Sequence, residues 1–95
     1  MTLTVHDQLK LLHDLLDEQT IERNGEVAEY QQIKRLIHSM MTNKSVSDKH
    51  LHHLLPDIYN YGHQGEIAQN SSDHVTANQE NIENWKNAIT NVYLK

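Results

Sequence analysis

Cysteine and phenylalanine are absent from this chain of 95 residues, which has one proline and three glycines. Without cysteine there can be no disulfide, no thiolate metal ligand and no cysteine nucleophile, a composition that fits a reducing cytoplasm. Without phenylalanine the aromatic load falls on Trp85 and on Tyr30, Tyr59, Tyr61 and Tyr93, whose polar atoms enter any core they help to build. Long hydrophobic runs are missing too: nothing approaches the ~18 apolar residues of a membrane span. The opening MTLTVHDQLK lacks the basic start, apolar stretch and small-residue cleavage site of a secretory leader. The expectation is a soluble cytoplasmic protein with no membrane partner.

Basic residues are also few, eight against thirteen acidic, for a net charge of -5. The longest basic cluster is Lys34-Arg35, so nucleic acid is not an expected partner. Histidine is what the chain has in plenty. Protonating all eight with the carboxylates still ionised would move the charge from -5 to +3, a wide swing over the range where imidazoles titrate. An apolar fraction of 37% predicts one modest core, and the length fits a single domain over residues 1–95.

With so few glycines and prolines the chain has few breaks, and its apolar residues recur at spacings of three and four. Val5, Leu9, Leu12 and Leu16 form one stripe behind a Thr4-x-x-Asp7 start, predicting a first helix over about 4–19. Asn24-Gly25 marks a turn. Val27, Tyr30, Ile33, Ile37 and Met40 then predict a helix over about 25–42, with Glu26 and Glu29 as capping charges rather than catalytic acids. Ser45-x-x-Asp48 suits the start of a third helix carrying Leu51, Leu54, Leu55 and Ile58 inward, to end near Gly62 or Gly65. A long loop over about 62–71 follows. Ser71 or Ser72 would start a fourth helix with Val75, Ile82, Trp85, Ile89 and Val92 inside, its stripe passing through Asn78. The prediction is an all-α, small antiparallel four-helix bundle whose third helix is kinked at Pro56. A three-helix bundle with the third helix broken at Pro56, or a dimer of hairpins, are the alternatives.

Taken together, HDQLKLLHDLL, GEVAEYQQIKRLIHSMM, DIYNYGHQG and NQENIENW resemble the small YtzH-like proteins of Bacillus and its relatives over nearly the whole chain. The resemblance implies a small helical protein. It implies no catalytic residues, because that family is functionally uncharacterised.

The segment HLHHLLPDIYNYGH is where chemistry would be sought first. At about 100° per residue His50, His53 and Asp57 fall within about 60° of one another, beside the stripe of Leu51, Leu54, Ile58 and Tyr61. Two imidazoles and a carboxylate suit zinc or another divalent transition ion. Against that, Pro56 lies between His53 and Asp57, and a fourth ligand would have to come from His38, His13 or Glu29 on another helix. No H-E-x-x-H or paired E-x-x-H unit is present. His13 and Asp17, one turn apart, read as a surface pair. Asn78 reads as exposed or as a register-fixing polar residue, and Asn81, Asn84, Asn87 and Asn91 as an amide-rich outer face.

No nucleophile signature, phosphate loop or basic groove is present, so an enzyme is not expected and no cofactor is implied. The favoured function is a protein-interaction or regulatory module with an unknown protein partner, acting as a monomer or a homodimer. The alternative is a metal-binding bundle using His50, His53 and Asp57.

Overall fold

The computed structural model describes residues 4–44 and 46–94, and among them every regular element is helical. Helix α1 spans Val5–Glu22, α2 Val27–Thr42, α3 Lys49–Ile67, α4 Ser71–Ala77 and α5 Gln79–Ile89, with a closing π-helical turn over Thr90–Leu94. Five α-helices therefore stand where four were expected. The difference arises at Asn78. Its backbone leaves helical geometry (φ -105°, ψ 9°), its N–H is shared between the His74 and Val75 carbonyls at 3.2 and 3.1 Å, and its Nδ2 also donates to the His74 carbonyl at 2.9 Å. In sequence α4 and α5 fill the place of the expected fourth helix.

The starts are those the capping residues dictate. Thr4 Oγ1 accepts the Asp7 N–H at 3.1 Å, and Asp48 Oδ1 accepts that of Leu51 at 2.9 Å. Ser45, the other residue of the proposed α3 start, lies outside the described residues. The Glu29 carboxylate accepts the Glu26 amide at 2.8 Å, so it serves the start of α2 as expected.

The end of α3 differs from expectation. It runs through both Gly62 and Gly65 to Ile67, and the connection to α4 is only residues 68–70, not a loop over 62–71. No described glycine has positive φ, and the left-handed positions belong to Arg23 (φ 55°) and Lys44 (φ 51°). Gly65 is required for space: a methyl group there would overlap the Tyr30 ring. These glycines lie where α3 presses on α2.

Helices α2 and α3 pair antiparallel. Gln31 and Lys34 meet Glu66 near one end, and Met41, Thr42 and Pro56 lie together near the other. Helix α1 packs against α2 and α5, and α3 against α2 and α5. One core joins them, including Leu9, Leu12 and Leu16, Ile33 and Ile37, Leu51, Leu55 and Ile58, and Ile82 and Ile89. Val27 and Val92, expected inside, are 53% and 39% exposed. Val27 is the first residue of α2, and Val92 lies in the π-helical turn, where the five-residue bonding pattern departs from the 3.6-residue stripe.

Candidate functional site

Three arrangements bear on function, and the first is a buried polar cluster beneath the α1–α2 and α3–α4 turns. Gln19 follows Leu12 and Leu16 on the inner face of α1 and is fully buried. Its Oε1 accepts the Tyr61 hydroxyl at 2.7 Å, whereas its Nε2 is buried without a hydrogen-bond partner. Burial, reinforced by the neighbouring Tyr30, pushes the Tyr61 phenol above the ordinary tyrosine range and keeps it a donor. Tyr61 stacks on His74 with centroids 4.7 Å apart and meets Trp85 edge-on at 5.5 Å. The His74 Nε2 lies 3.0 Å from the Tyr61 carbonyl, which can only accept, so this nitrogen carries the hydrogen.

Ser71 ties the two turns together. Its hydroxyl donates to the Gly25 carbonyl at 2.7 Å, accepts the Gly25 N–H at 2.9 Å, and lies 2.9 Å from the Tyr30 hydroxyl, which therefore donates to it. With Ser71 bonded to Gly25 and Tyr30, and His74 aimed at a backbone carbonyl, the two do not form a nucleophile–base pair. The cluster holds the fold together at this end.

The second arrangement is an open groove between α2 and α3. One section, about 440 Å³, is lined by Gln31, Lys34, Arg35, His38, Tyr59 and Glu66. The next, about 400 Å³, is lined by His38, Met41, Thr42, Pro56 and Tyr59. His38 and Tyr59 border both, so the two sections are continuous. Lys34 forms an ion pair with Glu66, whose Oε1 also accepts Gln31 Nε2 at 3.0 Å. Those hydrogen bonds hold the Glu66 carboxyl below the usual carboxylate range. Arg35 is exposed, with no ion-pair partner among the described residues.

The third is the ligand set proposed from sequence, all of it carried on α3. His50, His53 and Asp57 are all exposed. His50 borders a depression with Asn84, Asn87 and Asn91, and Asp57 borders the adjoining one with Asn60, Asn78 and Asn81, Leu54 and Asn84 lining both. His53 borders neither of these. Among the described residues no three His, Asp or Glu side chains come together as a group able to hold a metal ion.

The pairing of His13 with Asp17 is also different. His13 Nδ1 lies 3.4 Å from Asp14, and Asp17 accepts Lys86 Nζ of α5 at 2.9 Å. Asp17 thus links helices. Asn81, Asn84, Asn87 and Asn91 are all exposed, as an outer face requires, and line shallow depressions beside α3. Of the residues that sequence reasoning missed, Gln19 had a signal: it continues the spacing of Leu12 and Leu16. Its amide argued against burial and concealed it.

The model of the YtzH-like protein family matches residues 3–89. The chain belongs to that family. A relative from Bacillus subtilis strain 168, named uncharacterized protein YtzH, is 32% identical over 85 residues, covering 90% of this chain and 91% of its own. No solved structure matches. The family match spans all five α-helices and so includes both the buried cluster and the α2–α3 groove. For this YtzH-like chain, no described helix is long and apolar enough to cross a membrane.

Proposed function

We propose that this YtzH-like chain is a protein-interaction or regulatory module. The observation that carries the reading is the exposure of large aliphatic side chains at one end of the molecule. Ile21, Val27 and Ile67 are 74%, 53% and 69% exposed. Ile21 and Val27 flank the α1–α2 turn and Ile67 ends α3, and the Ser71–Gly25 hydrogen bonds hold these turns side by side. Single exposed apolar residues are ordinary, but several collected at one place favour contact with another macromolecule. A buried cluster committed to structure leaves the surface as the functional part of a chain this small.

The test is affinity capture of the tagged protein at native expression level, with mass spectrometry of what co-purifies and the mass of the purified protein in solution. The expected result is either one stoichiometric partner or a dimer. Ile21→Lys or Ile67→Lys should weaken a partner held at this end. A strictly monomeric protein that captures nothing above background in repeated experiments would end the reading.

A further inference from the structure

We propose that the groove between α2 and α3 receives an acidic amphipathic segment of another protein, about three helical turns long. This rests on the interaction-module reading and adds to it a location and a partner chemistry. In a chain of net charge -5, the stretch from Tyr30 to Ser47 contains Lys34, Arg35 and Lys44 and no Asp or Glu. Helix α2 therefore brings positive charge to the groove. Across it Glu66 is taken up by Lys34 and Gln31, which leaves the exposed Arg35 guanidinium for an incoming carboxylate.

The other half of the groove is apolar. Met41 and Tyr59 are 38% and 39% exposed, with Pro56 also exposed beside them. Methionine adapts its shape to an apolar partner, and a tyrosine offers an aromatic face with a polar tip. Gln31 to Thr42 is eleven steps along a helix, about 16 Å, or three turns of a ligand helix lying alongside. A carboxylate of it would sit at Arg35, and its apolar residues at Tyr59, Met41 and Pro56.

A second copy of this chain is a poorer occupant. A two-fold dimer puts the same patch on both sides of the interface, so groove against groove would set these cations against one another while the one lining carboxylate stays with Lys34.

The test is fluorescence anisotropy of labelled synthetic peptides titrated with the full chain. The probe is an amphipathic helical peptide of about 12 residues with leucines in its first turns and glutamates in its last. Its controls are the same peptide with lysine for glutamate and with serine for leucine. The acidic amphipathic peptide should bind at least about tenfold more tightly than either control and weaken with added salt. Arg35→Glu and Met41→Asp should each cost about tenfold. Both positions are exposed, and thermal melting of the two variants establishes that the fold is intact.

Absence of binding up to about millimolar protein, equal binding of acidic and basic peptides, or indifference to both substitutions would overturn the proposal. Amide chemical-shift mapping that places the peptide around Ile21, Val27 and Ile67 would overturn the groove while leaving the interaction reading standing. A homodimer in sedimentation that Arg35→Glu dissociates would assign the groove to a second copy and also overturn the proposal.

Discussion

Gln19 and Tyr61 are joined by a buried bond in which the acceptor has one donor and the amide nitrogen none. A buried hydrogen bond adds modestly to stability when formed, but stranding one partner carries that group's full desolvation cost. Tyr61→Phe leaves Gln19 Oε1 without its donor and should lower stability by about 1–3 kcal/mol in urea denaturation. Adding Gln19→Leu to it removes the stranded oxygen and the unpartnered nitrogen together. The double variant should be more stable than Tyr61→Phe alone, giving a clear non-additive cycle. Additive losses would mean that the bond contributes nothing.

Gly65 lies nearby, against the Tyr30 ring. Alanine favours a helix over glycine by about 1 kcal/mol, but the added methyl has no room here, and overpacking a tight core costs about 1–3 kcal/mol. Gly65→Ala should therefore destabilise, seen as a lower melting temperature. A rise would show that α3 can move off α2 at no cost. This residue also explains a misreading. From sequence it looks like a stop signal, because glycine commonly ends helices, and nothing local distinguishes that use from close approach of a neighbouring helix. The inner stripes were legible because spacing alone creates them; the reason for the glycines was not, because it depends on Tyr30, 35 positions away.

At the scale of elements, α3 is the instructive helix. It continues through Pro56, which has no N–H to give the His52 carbonyl and whose ring crowds that turn. Proline inside a helix costs about 3 kcal/mol, of which roughly 1 kcal/mol is offset by its restriction of the unfolded chain. The side chain is exposed, so little packing is lost on truncation. Pro56→Ala should raise stability by about 1–2 kcal/mol, measured as a later urea midpoint with an unchanged slope. An earlier midpoint would mean that the helix pair is fitted to the shape proline imposes. The break at Asn78 was half legible: the asparagine stood out on an apolar stripe, but the departure of its backbone from helical angles is geometry that spacing does not carry. What surrounds the proposed ligands was illegible for a related reason, since angles on one ideal helix say nothing about which neighbouring helix borders each residue.

For the molecule as a whole, charge is arranged in links between helices that sequence alone did not place: Lys86 with Asp17 across α1 and α5, Lys34 with Glu66 across α2 and α3. Burial would raise the Asp14 carboxyl, but bonds to Lys10 and His13 prevail and lower it. Lys34 and Gln31 lower Glu66. A carboxyl whose folded value lies below its unfolded one adds stability that is complete above the unfolded value, near 4 to 4.5 for Asp and Glu, and disappears as pH falls through the folded value. The contribution of these two carboxyls should therefore be complete from neutral pH to about 4.5 and decline below it. Glu66→Gln tests this at one link. The variant should have a lower urea midpoint than the parent at pH 7 and a smaller drop between pH 5 and 3, because the titrating group is gone. Samples near pH 5.8, where net charge vanishes, should be the least soluble and are best avoided. An equal drop in parent and variant would mean that the Lys34–Glu66 link adds nothing to stability.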